Sequence, residues 1–232
     1  MAEQQVSPVM GGDVANLTVG VLGGTGDQGR GLARRLAGAG HPVIIGSRDA
    51  QRAAAAAAGL AAEPGISGIQ GMANQDAARA ADVVIVAVPW EGHRDLLAPL
   101  AGALAGKVVI DCVNPLGFDA RGAYPLPVEE GSAAEQAAAV LPDSTVVAAF
   151  HHVSAVLLLD PDVAEIDLDV LVLGDDRAAT DLVQALAARI PGVRGVYAGR
   201  LRNCRQVEAL TANLVSINRR YRAHAGLRIT DI

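Results

Sequence analysis

Gly24, Gly26 and Gly29 lie in the stretch LGGTGDQGRG (residues 22–31) and have the spacing G-x-G-x-x-G. A loop of this kind can cradle a pyrophosphate. Gly24 allows the tight turn, Gly26 lets backbone approach the anion, and Gly29 lets helix and strand pack closely. The helix that follows offers free N–H groups and the positive end of its dipole to the phosphates. The motif alone is weak evidence. Here it directly follows the β-branched run LTVGVL (17–22) and opens a helix, which is the context a dinucleotide site requires. Asp27 and Gln28 read as helix-start and pyrophosphate-side residues rather than catalysts.

The end of the second strand sets which dinucleotide is held. An NAD site usually has an acid there to bind the ribose 2′-hydroxyl. This chain has GSRDAQR, with Ser47 and Arg48 at that place and Arg52 one helical turn on. Charge-assisted hydrogen bonds to phosphate are worth roughly 1.5–3 kcal/mol each, so the two arginines favour a 2′-phosphate and hence NADP. Thr25 can add a hydroxyl. Asp49 could bind a ribose diol instead, but is expected to cap the next helix. Val88, Pro89 and Trp90 end the strand DVVIVAVPW (82–90) and are placed to line the nicotinamide, although Trp90 fits a core position equally well. Asn114, after the fifth strand, could hydrogen-bond the carboxamide or a ribose.

A carbonyl-reducing enzyme would need a proton donor, commonly Lys or His. The single lysine, Lys107, starts the fifth strand, at the edge of the sheet away from the chemistry, which argues against a Lys-based hydroxyacid or ketopantoate-type reductase. Among the histidines, His41 reads as a surface turn, and His93 as a cap or solvent-facing residue. His224 follows the last helix. Only His151 and His152 follow a strand at the cleft edge, and of this pair His151 is the candidate cleft group. A flat redox ring as second substrate would demand less: an apolar slot and rings in contact, with no obligatory acid or base.

Strands and helices alternate along the whole chain, which predicts an α/β fold: a Rossmann-like doubly wound parallel sheet with a small C-terminal domain closing a cleft. The expected division is a flexible arm over 1–16, an NADP-binding domain over 17–150 and a small domain over 151–232. The stretch NPLGFDARGAYPLPVEEGS has no periodicity and reads as a long functional loop. A chain of 232 residues with 51% hydrophobic residues can bury a sizeable core. The net charge of −6 argues against nucleic-acid binding. No apolar run reaches membrane-spanning length and the start lacks signal-peptide character, so a cytoplasmic setting is expected. Cys112 and Cys204 are too few and too far apart for a metal cluster, and no metal is expected. Nine arginines lie between Arg189 and the end against two acids, Glu208 and Asp231; this is either a solvated face or a patch for an anionic ligand.

The ordered set GVLGGTGDQGRGLARRLAGAGHPVIIGSR, VPWEGH, EGSAAEQAAAVLP, AAFHHVSA, LVLGDD and AGRLRNCRQVEALTANLVSIN resembles the F420-dependent NADP oxidoreductases. The resemblance covers nearly everything after the arm. It implies reversible hydride transfer between NADP(H) and the 5-deazaflavin coenzyme F420 as co-substrate, in a homo-oligomer, with small-molecule cofactors as the only partners. It implies that Thr25, Ser47, Arg48 and Arg52 grip the 2′-phosphate and that Val88 and Pro89 pack on the nicotinamide. His151, Val153, Ser154 and, in the closing HAGLRI, Ala225 would border the deazaflavin. Family members often carry Thr and Pro in the HHVS segment, where this chain has His152 and Ser154. The alternatives are an NADPH-dependent flavin or ferric reductase and a non-catalytic NADP(H) sensor.

Overall fold

Residues 14–232 are described by a computed structural model, so most of the expected arm lies outside the described residues. Short apolar runs with β-branched side chains form the central strands: β1 Val19–Leu22, β2 Val43–Ser47, β3 Ile69–Ala73, β4 Val83–Val86 and β5 Val108–Asp111. Between them run α1 Asp27–Gly38, α2 Ala50–Ala61 and α3 Asn74–Ala80. The helix expected over 91–104 is broken into α4 His93–Leu97, which follows a 3₁₀ turn, and α5 Ala101–Leu104, joined to it by a second 3₁₀ turn, because Pro99 has no N–H to give a continuous ladder.

The expected long loop is instead an antiparallel hairpin of β6 Leu116–Asp119 and β7 Gly122–Pro125. Asp119 Oδ1 accepts from Arg121 N and Gly122 N (2.7 and 3.2 Å), and Gly122 takes φ 123° to close the turn. Four-residue strands are too short to leave a periodic signature. After α6 Ala133–Val140 and β8 Thr145–Ala148 comes a short helix, α7 Ala155–Leu159, which the sequence reading also missed. The chain ends with β9 Leu168–Gly174, α8 Arg177–Ala187, β10 Val193–Gly199 and α9 Cys204–Tyr221.

One sheet carries eight strands in the order β10-β9-β8-β5-β4-β1-β2-β3. From β3 to β8 all strands are parallel, the doubly wound order that puts ligands at the strands' C-terminal edge. β9 is antiparallel to β8, pairing Ala148 with Leu173, and β10 is parallel to β9. The sheet is therefore mixed, and the last third of the chain continues it. Alternate residues of each strand face opposite sides, so two cores form. One packs Val19, Val21 and Ile85 under α1, α2 and α8; the other packs Val84, Val86 and Val109 under α3, α4, α6 and α9. His41 is not on the surface: it is buried, with Nδ1 at 3.2 Å from the Leu17 carbonyl.

Candidate functional site

The C-terminal ends of β2, β1, β4, β5 and β8 lie side by side, and the glycine loop joins β1 to α1. The left-handed turn is made by Gly23 (φ 69°) rather than Gly24; a Cβ at Gly23 would stand 2.2 Å from Val88. Gly24 is needed for a different reason, since its Cβ would meet the Val21 carbonyl at 2.6 Å. At Gly29 the Cβ would meet Gly24 Cα at 2.6 Å, so loop and helix approach backbone to backbone. Gly26 is exposed, and its nearest neighbour to a Cβ is 3.9 Å away, which leaves room for a ligand. It also caps α1 without a side-chain bond, so the first N–H groups of the helix keep their capacity for an anion. Asn74, at the start of α3, steadies this loop: its Oδ1 accepts from Gly23 N at 3.4 Å. In the sequence it reads only as a start of the short helix α3.

Asp49 caps α2, as expected, accepting from Gln51 N and Arg52 N at 2.8 and 3.2 Å. Ser47 is buried, and its Oγ accepts from Asp49 N. Arg48 and Arg52 stand exposed, and their side chains make no hydrogen bond or ion pair among the described residues. Thr25 is half-buried in the loop. Asp27 pairs with Arg30 (3.0 Å) on the exposed first turn. Gln28 reaches the other way, donating to the Phe150 carbonyl at 3.3 Å, and so ties the loop to the turn after β8. Phe150 itself is fully buried with φ 63°.

Val88 is half-buried and Pro89 exposed at the end of β4. Trp90 packs on the second core and stacks on His93, ring centroids 5.7 Å apart. Asn114 is occupied by protein: its Nδ2 donates to the His151 carbonyl at 2.8 Å, and its Oδ1 accepts from Thr211 Oγ1 at 3.4 Å, leaving one N–H over. His151 is 4% exposed, and neither ring nitrogen has a partner among the described residues. Val153 turns into the first core. Ser154 Oγ lies 3.3 Å from His224 Nδ1, and Ala225 N donates to Asn218 Oδ1 at 2.6 Å. The structure thus brings the HHVS turn and the closing segment together across about 70 residues of sequence.

The sequence reading missed a buried polar cluster beneath β5. His93 is fully buried. It donates through Nε2 to Asp111 Oδ2 at 2.6 Å and through Nδ1 to Gln136 Oε1 at 3.0 Å. Burial opposes the imidazolium, but the Asp111 carboxylate, together with Gln136 and Glu208, more than offsets this and holds His93 above its ordinary pKa. The available signal was an aspartate inside the apolar strand VVIDCV, because a buried acid requires a partner. Glu208, on α9, reaches back to accept from Ala133 N and Ala134 N, while burial pushes its carboxyl up to about 7.

Burial also pushes His151 and His152 down to about 4. For a histidine with a depressed native pKa, stability is full above the ordinary value of 6.5 and is lost as pH falls through it toward 4. Each such group is expected to cost about 2 kcal/mol at pH 5. Glu208 and His93 have raised values and act in the opposite sense, losing stability as pH rises. The histidine effect is therefore read as a difference. His152→Gln should lose about 2 kcal/mol less than the parent between pH 7.5 and 5 in urea unfolding; equal losses would show that His152 does not titrate on unfolding.

Among the described residues no helix is long and apolar enough to cross a membrane. Residues 18–115 match the family model described as NADP oxidoreductase, coenzyme F420-dependent. The F420-dependent NADP reductase of Methanothermobacter marburgensis is 42% identical over 93% of this chain and 99% of the relative. The metalloreductase STEAP3 of Rattus norvegicus is 34% identical over 85% of this chain, which spans 37% of that protein. A crystal structure from Arthrobacter sp. FB24, provisionally named an F420-dependent NADP-reductase, superposes with a TM-score of 0.79 at 29% identity, covering 93% of this chain and all of that one.

Proposed function

The chain belongs to the coenzyme F420-dependent NADP oxidoreductases, and from this we propose that it passes a hydride reversibly between C4 of the nicotinamide of NADP(H) and C5 of the deazaflavin F420. The observation that carries the nucleotide half is the pair of uncommitted cations, Arg48 and Arg52, at the end of β2, where the one nearby acid, Asp49, is spent on a helix cap. The open space over Gly26 and the uncapped start of α1 fit a pyrophosphate. We assign residues 17–150 to NADP and 151–232 to the F420 side of the cleft.

Both rings bring their own redox chemistry when bound, so this chain needs no obligatory general acid or base. Its residues bind and orient. The loop Gly24–Gly29, with the Asp27 and Gln28 backbone N–H groups, holds the pyrophosphate; Thr25, Ser47, Arg48 and Arg52 hold the 2′-phosphate. Val88, Pro89 and Trp90 pack against the nicotinamide, and the spare N–H of Asn114 faces its carboxamide or ribose. His151, Val153, Ser154 and Ala225 border the deazaflavin. With its pKa near 4, His151 is neutral at pH 7 and serves as a hydrogen-bonding group. Phe118, Tyr124 and Tyr221 stand exposed on the hairpin and at the end of α9, a surface that a cytoplasmic homodimer would cover.

Mixing the protein with NADPH and F420 should bleach the visible absorbance of the deazaflavin. Turnover with FMN but none with F420 would instead favour a flavin or ferric reductase. If neither acceptor is reduced, an NADP(H) sensor becomes the better reading.

A further inference from the structure

The reversal of β9 has a consequence at the cleft. Because β9 runs antiparallel to β8, with Leu173 opposite Ala148, its first residues project beyond the C-terminal edge of β8 toward the HHVS turn. Asp169 sits there with no solvent exposure, and its two oxygens accept four hydrogen bonds. Arg194, its neighbour on β10, donates through Nε and Nη2 at 2.9 and 2.8 Å. The other two come from the closing segment: Arg228 Nη1 at 2.8 Å and Ile229 N at 2.6 Å. Asp169 N also donates to the Leu227 carbonyl at 2.8 Å. Arg194 extends the clasp to the carbonyls of Ile229 and Ile232, each at 2.8 Å. The hydrogen bonds from Arg194 hold the Asp169 carboxyl below the usual carboxylate range, so it is an anion at every physiological pH.

On its other side the same segment is held by Asn218, whose Oδ1 accepts from Ala225 N, after Arg222 ends α9 in a left-handed turn (φ 52°). Gly226, between the two anchors, lies so close to β9 that a Cβ there would meet Leu168 Cβ at 2.8 Å. His224 and Ala225 are thus stretched across the mouth of the turn carrying His151 and Ser154, with the Ser154–His224 contact, among the described residues, as the only side-chain bond between them. Releasing residues 227–229 would leave this wall held at one end.

We propose that Asp169 is a positioning residue for F420: through Arg194, Arg228 and the Ile229 amide it clasps the closing segment so that Ala225 forms a fixed wall of the deazaflavin side of the cleft. This rests on the function proposed above, and it makes the binding of F420, but not of NADPH, depend on a carboxylate that contacts neither. The test compares the parent with Asp169→Asn and with Arg228→Gln, a milder change at the exposed rim. Hydrogen exchange on the free proteins should show faster exchange over 223–229 in both variants, with the exchange of β1 and α1 unchanged. Titration of F420 fluorescence should show a Kd raised about tenfold in Asp169→Asn and about threefold in Arg228→Gln. The KM for NADPH should stay within about twofold, since the nucleotide loop is untouched. Unchanged exchange over 223–229, an unchanged F420 Kd, or equal losses for both cofactors would overturn the proposal. A parent protein that does not bind F420 would overturn the functional reading itself, and this inference with it, whatever the exchange shows.

Discussion

Replacing Arg48 and Arg52 together by alanine is expected to raise the KM for NADPH by on the order of a hundredfold and to leave that for NADH within about threefold. The two nucleotides differ by one 2′-phosphate, so only groups touching that phosphate can separate them. Arg48 and Arg52 are exposed and uncommitted among the described residues, and Asp49 cannot substitute for an NAD-type acid while its carboxylate caps α2. Each charged hydrogen bond to phosphate contributes roughly 1.5–3 kcal/mol, and losing two such contributions gives about two orders of magnitude or more. Arg48→Ala alone should raise the NADPH value roughly tenfold. Steady-state kinetics with both nucleotides decides the point. An equal loss for NADPH and NADH would place the arginines elsewhere on the nucleotide, or away from it.

Arg35→Met should destabilise the fold by about 3–5 kcal/mol, read as a lower urea midpoint at an unchanged m value. Arg35 lies on α1 and is 8% exposed. Its guanidinium donates to four carbonyls at the end of α7 and just beyond: Leu157 at 2.5 Å, Leu158 at 2.9 Å, Asp160 at 3.1 Å and Val163 at 2.7 Å. Those of Leu157, Leu158 and Asp160 belong to the end of α7, where a helix leaves carbonyls without partners, and a cation there also complements the helix dipole; that of Val163 lies beyond it. Methionine keeps most of the apolar stem and removes every donor, so the change isolates the polar contribution. The helices are in close contact: a Cβ at Gly31 would meet Leu158 Cβ at 2.5 Å. Arg35→Lys should recover only part of the loss, because an ammonium has three donors and no planar fork. A loss under about 1 kcal/mol for Arg35→Met would mean that water takes over these carbonyls at little cost.

The nucleotide half of the candidate site has local signals in the sequence. A glycine triplet between a β-branched strand and a helix, an arginine in place of an acid one strand later, and an aspartate at a helix start all carry their meaning within a few residues. The errors there were small, such as the positive φ falling on Gly23 instead of Gly24. The other half was less legible. His93 looked like a cap because its partners, Asp111 and Gln136, are 18 and 43 residues away and only the fold joins them. Asn114 reads as a ligand contact in the sequence, and the structure also engages it with His151 and Thr211, again at long range. The hairpin of β6 and β7 reads as a loop in the sequence because strands of four residues show no pattern against their turn signals.

By itself, then, the sequence determined the parallel strands, the glycine loop with its free helix start, and the two exposed arginines just past β2. Each of these follows from periodicity, glycine sterics or charge over a short span. The tertiary structure alone decided that β9 turns against β8, that Arg35 closes the end of α7, and that Asp169 gathers the closing segment over the cleft. The physical reason is the same in the last two. A buried arginine or aspartate announces that it needs partners, but when those partners lie about 60 to 130 residues away, as in most of these contacts, only the packed sheet can choose them.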